Sequence, residues 1–99
     1  MNADIFRMKS KILLVEDSDE YRLMVESSLS GTYDVSVVSS GEEALQLLKT
    51  NSFSLVLLDV VLPGMSGLQI CSYIRSTPDT ANIPIILLTS KSSVDDKVI

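Results

Sequence analysis

Three stretches of the chain, Lys11 to Val15 (KILLV), Phe53 to Leu58 (FSLVLL) and Ile85 to Leu88 (IILL), are apolar almost without interruption. A strand with one wet face alternates apolar and polar residues, so unbroken runs of this length belong to strands covered on both faces. Tyr33 to Val38 (YDVSVV) adds a second strand in chain order, β-branched and brief, with Tyr33, Val35 and Val37 in alternation. Helical patterns lie between. Ser18 to Leu29 places Tyr21, Met24, Val25 and Leu29 at helical spacing, with Gly31 as a stop. Ser40-Gly41-Glu42-Glu43 has the form of a capping box and opens an apolar face of Ala44, Leu45, Leu47 and Leu48 that runs as far as Lys49. A third helical pattern passes through Leu68, Ile70, Cys71 and Ile74 and closes at Arg75-Ser-Thr-Pro. Pro78 to Pro84 is a polar connection, and Ser92 to Ile99 reads as the start of a fourth helix. Strand and helix thus alternate four times, which predicts right-handed crossovers and a doubly wound parallel α/β sheet. No internal repeat, linker or low-complexity segment interrupts the order.

Size allows one core and one domain: a chain of 99 residues hides only roughly 60–65% of its unfolded surface. The net charge of -5 and the lack of a basic run argue against direct nucleic-acid or anionic-membrane binding. The single cysteine, Cys71, rules out an intrachain disulfide and gives no sign of an oxidising compartment, so a cytoplasmic location is expected. Apolar runs fall far short of the ~20 residues of a membrane helix, and the first nine residues lack the apolar stretch of a signal peptide. With no histidine in the chain, histidine-based catalysis and His-ligated zinc are excluded.

In an open α/β sheet, ligands sit beyond the carboxyl ends of the strands, where strand order reverses. Strand one ends at Glu16 and Asp17, strand three at Asp59 and strand four at Thr89 and Ser90, whereas strand two ends in the uncharged Ser39 and Ser40. If strands one and three are neighbours, three carboxylates converge, at a cost that a cation or a bound proton must offset. An all-oxygen donor set suits Mg²⁺, which keeps several waters and is often held by one or two carboxylates plus a phosphate oxygen. A carboxylate such as that of Asp59 can act as a nucleophile and form an aspartyl-phosphate. Thr89 and the backbone N–H groups after Asp59 would then face the phosphoryl group.

From about Lys9 to Ile99 the sequence resembles the receiver domain of bacterial two-component response regulators. The matching pieces are the acidic pair in LLVEDSDEYR, the LLDVVLPGMSG around Asp59 and the PIILLTSK around Thr89. The resemblance implies a flavodoxin-like sheet of strand order 2-1-3-4(-5). It makes Asp59 the phospho-acceptor, supplied by a sensor histidine kinase, a phosphotransfer protein or a small phosphodonor. It makes Asp17 the direct Mg²⁺ ligand, assisted by Glu16, with the Val61 carbonyl completing the protein ligands alongside Asp59. Thr89 becomes the switch hydroxyl, and Val61 and Lys91 occupy the positions that tune loss of the phosphoryl group. The family's fifth strand, with its lysine, and its last helix have no match here, and neither Lys91 nor Lys97 fills that lysine's place. The expectation is a single receiver-like domain over residues 1–99, truncated or incompletely ordered at its C-terminus. It would be a regulatory domain whose only chemistry is phosphoryl capture and release, with a dimer or effector-domain contact as its output.

Two other readings compete. One is a receiver-like interaction module that takes no phosphate. The other is a Mg²⁺-dependent phosphatase of the haloacid dehalogenase kind, which the second aspartate of that family's motif opposes, since Val61 stands in its place. Plainer roles are expected elsewhere. Asp19 and Glu20 favour a helix N-terminus, Cys71 fills a small core position, Tyr21 and Tyr73 pack, and Pro63, Gly64 and Gly67 serve the turn and a helix start.

Overall fold

The computed structural model describes residues 9–88. Seven elements follow in the order β1 (Lys11–Val15), α1 (Asp19–Leu29), β2 (Asp34–Val38), α2 (Gly41–Thr50), β3 (Leu55–Asp59), α3 (Gly67–Ser76) and β4 (Ile85–Leu88). The strands form one parallel sheet of order β2-β1-β3-β4. From β1 the chain winds outward to β2, then returns past β1 to β3 and β4. The order therefore reverses between β1 and β3, as the doubly wound reading requires. Thr89, Ser90, Lys91 and the fourth helical pattern lie outside the described residues.

Successive side chains of a strand point to opposite faces, and each face of this sheet has its own core. Leu13, Val15, Val56 and Leu58 pack with Ala44 and Leu48 of α2 and Ile70 and Ile74 of α3. Ile12, Leu14 and Leu57 pack on the other face with Val25 and Leu29 of α1. This is why KILLV and LVLL carry no alternation: both parities are buried. Each fully buried aliphatic side chain contributes about 1.5–3 kcal/mol of transfer free energy, so the two central strands hold the sheet together.

Several local expectations are corrected. Tyr33 stands outside β2 and is exposed, and Met24 and Tyr73 also point to solvent, at 56% and 55% exposure. The helix registers place Val25, Ile70 and Ile74 inward instead. α1 ends at Leu29 with Ser30 as its cap in right-handed geometry, so Gly31 follows the helix as expected of a stop, and Gly64, at φ 75°, is the residue of positive φ among those described. Phe53 precedes β3 but stays buried, with the Lys11 ammonium 5.3 Å from its ring centroid. Cys71 packs against the α2/α3-side core, as expected of a small core residue. The connection before β4 is less open than its polarity suggests. Thr80 is buried and donates its hydroxyl to the Ile74 carbonyl at 2.8 Å, and the Arg75 guanidinium donates to the carbonyls of Ala81 and Ile83.

Candidate functional site: an acidic centre at the switch point

The register of the central strands assembles the site. Val15 lies opposite Leu58 in the β1–β3 ladder, so the next residues, Glu16 and Asp59, emerge together at the carboxyl edge. The Glu16 N–H donates to the Val38 carbonyl at 3.0 Å, extending the ladder to β2 by one bond and fixing the backbone at this point. On the other side Asp59 pairs with Leu88, and the Val60 N–H donates to the Leu88 carbonyl at 3.1 Å. Glu16 and Asp59 are buried, at 3% and 1% exposure, and Asp17 is exposed. One carboxylate oxygen from each of the three lies within 4.8 Å of the others.

Local hydrogen bonds orient the two buried carboxylates. Glu16 Oε2 accepts from the Ser18 N–H at 3.0 Å, and Asp59 Oδ1 accepts from the Val61 N–H at 3.1 Å. The second is an Asx turn, the local bond that lets an aspartate end a strand and start a loop. Ser18 also caps α1, its Oγ accepting from the Tyr21 N–H. A single residue thus holds Glu16 and begins the helix whose first turn carries Asp19 and Glu20. Arg22 pairs with Asp19 on the helix surface, as side chains three apart on a helix can.

The loop after Asp59 is anchored at both ends. Leu62 is buried in the α2/α3-side core, Met65 packs against that core, and Gly64 takes the positive φ of the turn. A capping box closes it: Ser66 Oγ accepts from the Gln69 N–H while Gln69 Oε1 accepts from the Ser66 N–H. Sequence reading missed this box although Ser-Gly-Leu-Gln has the required form. It placed a box at Ser40 instead, where one half differs. Ser40 Oγ does accept from the Glu43 N–H, but the Glu43 carboxylate reaches back to the N–H and hydroxyl of Ser39. Those bonds from Ser39, backbone first, hold the Glu43 carboxyl below its ordinary range, with Ser40 adding to the effect.

Of the residues singled out from the sequence, Glu16, Asp17 and Asp59 come together. Val61 adjoins them and is 57% exposed, and Thr89 lies outside the described residues. Three oxygen donors this close, two of them buried, form a hard-ligand set of the kind that takes Mg²⁺ or a similar divalent ion. Among the described residues no helix is long and apolar enough to cross a membrane.

Many known proteins are similar to this chain in sequence and in fold. The response regulator ArlR of Staphylococcus saprophyticus is 40% identical over 90 residues, which make up 90% of this chain and 40% of that protein. Chemotaxis response regulator CheY4 of Vibrio cholerae superposes with a TM-score of 0.81 at 31% identity, covering 91% of this chain and 76% of that one. The response regulator Rcp1, solved in a Mn²⁺-bound form, superposes with a TM-score of 0.75 at 29% identity, covering 88% and 70%. The chain spans between 6% and 40% of the length of the curated relatives it matches first. Residues 12–99 match the family described as the response regulator receiver domain. On that match and these relatives, the chain belongs to the response regulator receiver domain family.

Proposed function

We propose that the chain is the phospho-acceptor domain of a two-component phosphorelay, with Asp59 as the residue that takes the phosphoryl group. The observation that carries this reading is the convergence of Glu16, Asp17 and Asp59 within 4.8 Å at the switch point of the sheet. A carboxylate oxygen of Asp59 attacks the phosphorus of a kinase phosphohistidine or of a small acyl phosphate. The new O–P bond forms as the P–N or P–O bond to the donor breaks, and the donor leaves with that electron pair. Mg²⁺, when bound, neutralises phosphoryl charge. Glu16, Asp17, Asp59 and the Val61 carbonyl would hold it.

Each residue has a share that follows from its place. Burial of Asp59 on β3 fixes the nucleophile, so little orientational freedom remains to be lost on the way to the transition state. Asp17, exposed at the mouth, is the carboxylate that an ion arriving from solvent meets first. Glu16, held by the Ser18 N–H, sets the floor of the site. The Val61 N–H, already directed at Asp59 Oδ1, is placed to donate to a phosphoryl oxygen. Thr89, next in sequence after Leu88, is read as the switch hydroxyl that follows the phosphoryl group. We read residues 1–99 as one receiver unit of a cytoplasmic protein. Its partners are a sensor histidine kinase or phosphotransfer protein, with an effector domain or a second receiver as the recipient of the signal.

The test is an intact mass measurement on the full-length protein after treatment with acetyl phosphate and Mg²⁺. A gain of one phosphoryl group that is lost in Asp59→Ala is expected, and an unshifted mass in the unaltered protein would refute the reading.

A further inference from the structure

Gly67 opens α3, and its N–H donates to the Val60 carbonyl at 2.9 Å. A Cβ at this position would stand 2.2 Å from the Asp59 carbonyl oxygen, 2.8 Å from Val60 Cα and 2.9 Å from the Asp59 carbonyl carbon. All three are main-chain atoms, and two belong to Asp59 itself. They cannot swing aside as the tip of a side chain can. Ordinary carbon contacts lie near 3.5–4.0 Å, so any side chain here must drive α3 and the end of β3 apart by on the order of 1 Å.

The other glycines differ in kind. A Cβ on Gly41 would meet Ile70 Cδ1 at 2.5 Å and Cγ1 at 2.7 Å, both side-chain atoms, and one on Gly31 would meet nothing within 4 Å. At Gly67 alone is the opposing surface the peptide of the proposed phospho-acceptor.

We infer that Gly67 is a positioning residue: its lack of a side chain seats the first turn of α3 on the Asp59–Val60 peptide and so holds the Asp59 carboxylate against those of Glu16 and Asp17. The requirement is one of precision, because a functional constellation tolerates errors of about 0.5 Å and the displacement forced by a Cβ exceeds that. The loop between is short and anchored, by Leu62 in the core and by the Ser66–Gln69 box. It cannot absorb the movement without shifting the Val60–Val61 backbone as well. The inference rests on the reading of Asp59 as the centre of a Mg²⁺-assisted site.

Mg²⁺ titration followed by backbone amide shifts, together with thermal melting, tests it in the full-length protein and in Gly67→Ala, Gly41→Ala and Gly31→Ala. Gly67→Ala should weaken Mg²⁺ binding about tenfold or more, the loss typical when a group that orients metal ligands is disturbed. Gly41→Ala should lower the melting temperature yet keep its Mg²⁺ affinity, and Gly31→Ala should change neither. Unchanged Mg²⁺ affinity in Gly67→Ala, or an equal loss in Gly41→Ala, would overturn the inference. If Gly67→Ala does not fold, the unaltered protein decides. Its Gly67 amide should move along the same Mg²⁺ isotherm as the Val61 amide while Gly31 stays still, and an unmoved Gly67 at saturation would overturn the assignment. Failure of the phospho-acceptor reading looks different: the protein would bind Mg²⁺ with this Gly67 dependence and never gain a phosphoryl group.

Discussion

Val15 and Leu58 are register partners across β1 and β3, and this one pairing puts Glu16 beside Asp59. With Asp17 following, three carboxylates occupy a space of 4.8 Å, and their mutual repulsion opposes folding wherever no cation offsets it. At an effective dielectric of about 20, two unit charges 4 Å apart interact by about 4 kcal/mol. Asp17 is exposed, so solvent screening cuts its share to about 1 kcal/mol.

Asp17→Asn should therefore stabilise the metal-free protein by about 1 kcal/mol, which for a domain of this size is a rise of roughly 4–8 °C in melting temperature. Mg²⁺ should raise the melting point of the unaltered protein, by about 2.7 kcal/mol of stability at a hundredfold excess over Kd, and should do far less for the variant. Melts in EDTA and in Mg²⁺ read both effects. A variant less stable in EDTA and equally stabilised by Mg²⁺ would count against the acidic centre.

Glu43 gives a prediction about pH. The Ser39 N–H and hydroxyl favour its ionised form, so its carboxyl is held low in the folded chain and returns to its ordinary value when unfolded. The unfolded chain binds this proton more readily. The contribution to stability is complete above that unfolded value and disappears as pH falls through the lowered folded one. In urea titrations Glu43→Gln should lie below the unaltered protein at pH 7, and the gap should close on acidification below the usual carboxylate range. A gap that widens there would contradict the assignment.

The Val61 side chain offers no group to orient water, and the residue is 57% exposed beside Asp59. Slow loss of the phosphoryl group is the expected consequence. Val61→Asn should shorten the phosphoryl lifetime by roughly tenfold, less than the 100-fold or more that a positioned general base supplies. Decay of the phosphorylated mass over time is the measurement. Loss within seconds in the unaltered protein, indifferent to Val61→Asn, would rule the idea out.

Ser66→Ala removes half of the capping box at the start of α3 and should cost about 1 kcal/mol, seen as a lower urea midpoint. Because that box anchors the loop after Asp59, the same variant should also slow phosphoryl uptake from acetyl phosphate. Ser40→Ala, at the start of α2, should cost similar stability and leave uptake unchanged.

Much of this was legible in the sequence for physical reasons. Runs such as KILLV and LVLL demand burial on both faces, which fixes a parallel sheet with helices on each side. That sheet leads to its carboxyl edge, where Glu16, Asp17 and Asp59 were already waiting. What stayed hidden depends on rotation and close approach. Met24 and Tyr73 fit a helical pattern as well as their neighbours do, and only the seating of α1 and α3 turns them to solvent. The Glu43 carboxylate chose the Ser39 N–H over that of Ser40, a matter of one residue of backbone direction. Gly67 read as turn chemistry because a sequence cannot say that a peptide lies 2.2 Å from a missing Cβ.

The central claim is that the Asp59 carboxylate itself carries the phosphoryl group. Treating the full-length protein with acetyl phosphate and Mg²⁺, reducing with borohydride and mapping the peptides tests this directly, since borohydride converts an acyl phosphate of aspartate to homoserine. The account predicts homoserine at position 59, dependent on Mg²⁺ and greatly diminished in Asp17→Asn. Homoserine at another position, or aspartate unchanged at 59 in protein that has gained a phosphoryl group, would contradict it.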